Sequence, residues 1–292
     1  MLPYLVHIHL YHTEFWPELR DALSVLEGTP YDLYITFNAS ADGLKERLER
    51  EVPNARLLPV SNRGYDVYPF LCVLKEVELS RYSYCIKLHT KRNMPLEAAP
   101  WNGARWRNLL LAFMRPSHFS RCVREMGKNR KIGMTGHQDL ILDWEPTSYD
   151  FRSRVGNLLN RTGLSLKEYR FIAGTMFLCR AHLLEPLKKL GFREDDFMVP
   201  DRKVDDERSL PHVLERYLGC LVIAQGYTVE DCFTTQPTRR VSKIECCART
   251  CAYQLVRFLY QNKITKRGDH IIKVCKIPVF VRRRKKDTTA EE

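Results

Sequence analysis

No uninterrupted apolar run in this 292-residue chain approaches the roughly 18 to 20 residues that carry a helix across a bilayer, so no membrane-spanning helix is expected. The opening Met1-Leu-Pro-Tyr-Leu-Val-His-Ile-His reads straight into a strand. It lacks the basic, apolar and small-residue regions of a secretory leader, and export is not expected. Ten cysteines are scattered with no Cys-x-x-Cys pair followed by a second, which argues against a zinc ribbon. Their one cluster, Cys246, Cys247 and Cys251, places Cys247 and Cys251 on one helix face and reads as small apolar residues rather than ligands. Reduced thiols of this kind suit the cytosol. No internal repeat is present.

What is present favours a folded domain. Apolar residues make up 44% of the chain, enough for a sizeable core at this length. The formal charge of +12 favours anionic partners: nucleotides, nucleic acid or the head groups of an anionic bilayer. Sign alone does not choose among them.

Hydrophobic spacing alternates between the two regular periods. Strands are expected at 5–10, 31–37 and 56–60, helices at 14–26, 44–52 and 67–79, and a buried strand at 82–88, giving β-α-β-α-β-α-β over the first ninety residues. That alternation predicts an open, mostly parallel α/β sheet with helices on both faces. Further helices are expected at 106–114, 117–126, 150–162, 181–190 and 210–218, and strands at 131–135, 171–179, 220–224 and 227–229. After about Pro237 the character becomes basic and aromatic, and a helical extension over 237–292 is expected behind a domain at 1–236. Near its end the extension carries Arg282-Arg-Arg-Lys-Lys, either a solvated end or an electrostatic anchor to anionic lipid, each cation adding on the order of 1 kcal/mol. Phe258, Leu259 and 279–281 supply apolar residues beside it.

The segment from Val60 to Arg92 carries the sharpest signal. Asn62-Arg-Gly-Tyr-Asp leads into a helix, and the strand after it ends in Lys87-Leu-His-Thr-Lys-Arg92. Ligands of open α/β sheets sit at the carboxyl ends of strands, so a cationic cluster there points to an anion, most simply a phosphate.

Five blocks in order resemble the rhamnan synthesis protein F family of bacterial polysaccharide glycosyltransferases: Asn62 to Phe70, Lys87 to Arg92, Gly103-x-Arg-Trp-Arg107, Phe171 to Phe177, and Leu210-x-His-x-Leu-Glu-Arg216. The resemblance covers most of the chain up to about Ala224. It implies a GT-A-like glycosyltransferase, rhamnosyl transfer from a nucleoside-diphosphate sugar such as dTDP-rhamnose to a lipid-linked glycan of the cell envelope, and a place on the cytoplasmic face of the membrane. Where many GT-A enzymes carry a metal-binding Asp-x-Asp, this chain has Lys87, His89, Lys91 and Arg92, which would bond the phosphates directly. No metal or other cofactor is therefore expected, although a divalent ion is the usual alternative.

The same resemblance assigns donor binding to Asn62, Arg63, Gly64, Asp66, Gly174 and Thr175 as well. Gly64 suits a turn with positive φ, and Asp66 either caps the following helix or accepts hydrogen bonds from the ligand. Arg105, Trp106 and His212 are candidates for the acceptor or a phosphate. His212 and Glu215 share a helix face, a pair better suited to bracing than to catalysis. The carboxylate that deprotonates the acceptor in an inverting reaction is sought in Asp205-Asp206-Glu207: register selects Glu207, with Asp206 open, and a helix-capping role competes for both. His7, His9 and His12 lack a carboxylate or cysteine at metal-binding spacing; His9 is expected at the nucleotide edge of the sheet or packed. Two other classes stay open: a catalytically silent glycan-binding or scaffold subunit, and a nucleic-acid-binding protein, the latter without a recognised motif.

Overall fold

In a computed structural model, residues 2–41, 43–92, 106–143, 150–197, 209–234, 255, 258–264, 270–275 and 277–282 are described. The chain divides into two compact units, 1–93 with 105–240 and 94–104 with 241–292.

The first unit opens as its periodicity predicts: β1 (Tyr4–Leu10), α1 (Trp16–Ala22), β2 (Tyr31–Asn38), α2 (Leu44–Glu51), β3 (Arg56–Val60), α3 (Val67–Glu76) and β4 (Tyr84–His89). Then follow α4 (Trp106–Leu110), α5 (Pro116–Lys128), β5 (Ile132–Thr135), β6 (Ile141–Leu142), α6 (Phe151–Asn160), β7 (Phe171–Ile172), β8 (Phe177–Arg180), α7 (Glu185–Lys189), α8 (Leu210–Ala224) and β9 (Thr228–Glu230). Seven strands form one sheet in the order β3-β2-β1-β4-β8-β5-β9. It is parallel except at β8, which runs antiparallel to both β4 and β5.

All seven residues of β1 are buried, as a central strand covered on both faces requires. From β1 the chain steps outward through β2 to β3 and then returns to lay β4 on the other side of β1. That reversal makes the carboxyl ends of β1 and β4 a topological switch point, where an open sheet leaves a crevice. Helix α3 packs against β1 and β2, with Phe70 and Val73 fully buried.

Three expectations are corrected. Cys220 to Ala224 is not a strand but the last turns of α8: the run is buried on every side, so it loses the polar face that betrays a helix. The apolar run from Phe171 to Cys179 is two strands separated by a turn at Gly174 and Thr175, both with positive φ. The extension is not helical where its strands are described. Tyr260–Ile264, His270–Val274 and Ile277–Arg282 form the antiparallel sheet β10-β11-β12, because β-branched and aromatic residues recur there without a helical stripe. Within the extension residues 255, 258 and 259 are helical, while Cys246, Cys247, Cys251 and residues 283–286 lie outside the described residues. Among the described residues no helix is long and apolar enough to cross a membrane.

Candidate functional site

Parallel pairing sets polar side chains in two rows at the end of the sheet. His9 lies beside Thr36 on β2 and His89 on β4, and His7 lies beside Lys87. Such groups are costly in a core unless each finds a partner. The Thr36 hydroxyl, which can accept and donate, lies 2.9 Å from His7 Nε2 and 3.0 Å from His9 Nδ1 and hydrogen-bonds both rings. The His7 ring stacks on Phe70 at 5.4 Å, and the Lys87 ammonium lies 5.5 Å from the same ring. Burial holds His7 well below the usual imidazole range and pushes His9 down to about 3, so both are neutral at pH 7.

Lys87 is fully buried, and its three N–H groups are all used within the protein. One is donated to Asp66 Oδ2, the others to Thr175 O at 3.1 Å and Thr175 Oγ1 at 2.9 Å. Thr175 Oγ1 in turn donates to Asp66 Oδ2. Burial would raise the Asp66 pKa, but nearby His89 and Lys87, with the hydrogen bonds from Lys87 and Thr175, hold it well below the carboxylate range. His89 is itself lowered by burial and donates Nε2–H to Gly174 O at 2.8 Å, so at neutral pH Lys87 is the cation that keeps Asp66 ionised.

Above this layer opens a cavity of about 250 Å³ lined by Tyr65, Asp66, Val67, His89, Lys91, Gly174, Thr175, Pro211, His212 and Glu215. Two backbone turns shape it. Gly64 and Tyr65 have φ of +63° and +54°, and Gly174 and Thr175 have +82° and +53°. A left-handed conformation at Tyr65 and at β-branched Thr175 costs on the order of 1 to 3 kcal/mol each and persists only where neighbours dictate it. At Thr175 it brings carbonyl and hydroxyl onto one ammonium. A Cβ on Gly64 would lie 2.6 Å from Phe197 Cδ1, and one on Gly174 would lie 2.5 Å from Leu110 Cδ2. On α8, Glu215 accepts from the Gly174 N–H at 2.6 Å and from Arg216, whose guanidinium lies over Phe151 and Phe171. His212 Nδ1 lies 3.1 Å from Ser209 Oγ, and its ring meets Tyr65 edge to face.

The fold thus gathers Asp66, His89, Lys91, Gly174, Thr175 and His212 at one cavity and gives other duties to the rest. Lys87 lies beneath it, committed to Asp66 and Thr175. Asp66 is the N-cap residue of α3 but makes no side-chain cap bond, so of its two expected roles the cap is not the one adopted. Arg63 turns away to Phe197 O at 3.1 Å and to Glu194 at 3.6 Å. Arg92 is exposed and pairs with Glu14 at 2.6 Å. His9 is buried in the polar layer, and Asn62 is exposed. Trp106 packs near Gly174. Arg105, Asp206 and Glu207 lie outside the described residues. Lys91 is the one cationic side chain on the described cavity wall, and it forms no ion pair among the described residues. Sequence reasoning missed Tyr65 as a wall residue and Thr36 as the bridge between two histidines; a large residue following a turn glycine, and a threonine amid apolar strand residues, were the available signals.

Among the described residues no group of three or more His, Cys, Asp or Glu side chains can surround an ion. Asp66 already faces an ammonium.

Curated relatives and solved structures resemble parts of this arrangement. Two proteins of Xanthomonas campestris pv. campestris, from strain B100 and a second strain, both described as uncharacterized protein WxcX, are 25% identical over 242 residues, covering 82% of this chain. The chain spans only 33% of their length. A crystal structure of S. aureus TarS 1-349 superposes with a TM-score of 0.42 at 10% identity, over 78% of this chain and 58% of that one. A 4-diphosphocytidyl-2C-methyl-D-erythritol synthase superposes at 0.38 and 9% identity, over 87% and 99%. Likeness at that level carries no functional argument. The family model is different in kind, because it spans both the β1–β4 switch point and α8: residues 3–227 match rhamnan synthesis protein F, and the chain belongs to that family.

Proposed function

We propose that residues 1–236 form a GT-A-like glycosyltransferase domain that moves a deoxyhexose such as rhamnose from a nucleoside diphosphate to a lipid-linked surface glycan, with inversion and without a metal. The observation that carries this reading is the convergence, at one switch-point cavity, of motif residues as distant in sequence as Asp66, Lys91, Thr175 and His212. A volume of about 250 Å³ is just under the roughly 300 Å³ at which small-molecule sites begin, so it suits one sugar ring with the rest of the donor beyond it.

Lys91 is assigned to the diphosphate, where its ammonium offsets the charge that grows on the leaving group. Asp206 or Glu207 is assigned to the acceptor hydroxyl, taking its proton as the oxygen attacks the anomeric carbon from the face opposite the diphosphate. His212 and the edge of Tyr65 stand on the wall for the acceptor. The basic segment from Arg282 supports a peripheral site on an anionic cytoplasmic leaflet, where the acceptor lipid would lie.

Purified protein incubated with dTDP-rhamnose and a lipid-linked acceptor tests the reading. Transfer or slow donor hydrolysis is expected, undiminished by EDTA, and lowered about 10²-fold by Glu207→Ala or Asp206→Ala. Absence of both transfer and hydrolysis would favour a silent glycan-binding subunit, and activity abolished by EDTA and restored by Mn²⁺ would remove the metal-free part.

A further inference from the structure

Among the described residues, every contact made by the Asp66 carboxylate goes to one oxygen. Oδ2 accepts from the Lys87 ammonium and from Thr175 Oγ1, and lies 3.9 Å from His89 Nε2. Oδ1 has no partner among the described residues, yet Asp66 lines the cavity and its side chain keeps 15% of its surface exposed. The pair therefore divides the carboxylate into an anchored oxygen and an oxygen open to a ligand. Lys87 is sealed beneath it at 0% exposure, so a ligand meets the carboxylate and not the ammonium.

We propose that Asp66 is a sugar-binding residue, its Oδ1 accepting a hydrogen bond from a ring hydroxyl of the donor, and that Lys87 and Thr175 are positioning residues that aim this oxygen. The inference rests on the glycosyltransferase reading and deepens it by naming which wall of the cavity takes the sugar. Two features favour a hydroxyl over a phosphate as the occupant. An ionised carboxylate repels phosphate oxygens and accepts from O–H donors with charge-assisted strength. Lys91 supplies a cation on the same cavity wall, so the sugar and the diphosphate each find a group of suitable charge. A role as general base is disfavoured, because a carboxylate already stabilised by a buried ammonium is a weak proton acceptor. The strained backbone at Tyr65 and Thr175, one before Asp66 and one bonded to it, fixes the carboxylate before the ligand arrives, which spares the binding step its ordering cost.

The test is calorimetric, with dTDP-rhamnose, dTDP and a series of dTDP-rhamnose analogues each lacking one ring hydroxyl, on the full chain. In the wild type one analogue is expected to bind roughly 10- to 100-fold more weakly than the parent, the loss of a hydrogen bond to a charged acceptor. In Asp66→Asn the amide must keep its oxygen toward Lys87 and turn N–H groups to the ligand, so the penalty for that same hydroxyl should shrink to under about fivefold while dTDP, which lacks the sugar, binds no more weakly than to the wild type. A flat series in the wild type, or an undiminished penalty in the variant, overturns the assignment and leaves the glycosyltransferase reading standing as long as dTDP-rhamnose binds. Failure of dTDP-rhamnose and dTDP alike to bind overturns both. If Asp66→Asn does not fold, the wild-type series decides alone: one selective loss supports the role, and a flat series rejects it.

Discussion

Lys87 and Asp66, one from the middle of a buried strand and the other from the start of a helix, form an ion pair in which the lysine has no contact with solvent and the aspartate forms part of a cavity wall. Two charges in a core are stable only with good geometry and full hydrogen bonding, and here the Thr175 hydroxyl and carbonyl complete the set. The stability of the carboxyl end of the central strands and the character of the cavity are therefore coupled through one contact.

Lys87→Met leaves an uncompensated carboxylate and should destabilise the protein by about 3 to 5 kcal/mol. Lys87→Met combined with Asp66→Leu should cost less than the sum of the two single changes. Urea unfolding of the four proteins checks this, and simple additivity would show that the pair is not coupled.

Gly64→Ala and Gly28→Ala separate crowding from backbone strain. Both glycines have positive φ, but a Cβ at Gly28 meets nothing within 4 Å whereas one at Gly64 strikes Phe197 and Tyr68. Gly28→Ala should cost about 1 kcal/mol, and Gly64→Ala clearly more, with a loss of ligand affinity because Tyr65 and Asp66 move with it. Equal unfolding midpoints would contradict the packing.

Acid should weaken the fold well above the carboxylate range. His9 has a folded pKa of about 3 against an unfolded value of 6.5, so between those values the unfolded chain binds the extra proton and stability falls as pH falls. His7 and His89 are lowered too and act in the same sense below 6.5. Asp66, also lowered, adds its loss only below its unfolded value of 3.8. His9 alone contributes a slope of about 1.4 kcal/mol per pH unit within its window. Urea midpoints at pH 7, 6 and 5 should decline steadily, and a plateau over that range would show that the histidines are not buried neutral.

Lys91→Ala should weaken dTDP binding by roughly 10- to 100-fold, the value of a hydrogen bond between a charged donor and a phosphate. Arg92→Ala should change it little, since that side chain is exposed and bound to Glu14. Titration calorimetry at one fixed ionic strength distinguishes them, and equal effects would mean that both cations reach the ligand.

The order of strands and helices over the first ninety residues was legible because each amphipathic element repeats its own period, and a β-α alternation admits few topologies. Legibility failed where burial is uniform, as in the second half of α8, and where a run of apolar residues hid the turn at Gly174 and Thr175. It failed as well in the extension, where composition suggested helix but β10, β11 and β12 pair as a sheet. For the candidate site, several motif segments meet at one cavity, but the pairing of their charges was not legible: Lys87, Arg63 and Arg92 are cations whose partners lie 21, 131 and 78 positions away, at Asp66, Glu194 and Glu14.

By itself the sequence determined the family and the α/β class, and it singled out segments that line the candidate cavity, because hydrophobic period and short motifs are local properties. Tertiary structure alone decided which charges remain available to a ligand. A side chain's charge is written in the sequence, but whether it is spent depends on what the fold brings within 3 to 4 Å, and here that paired Lys87 with Asp66 and Arg92 with Glu14 and left Lys91 on the cavity wall.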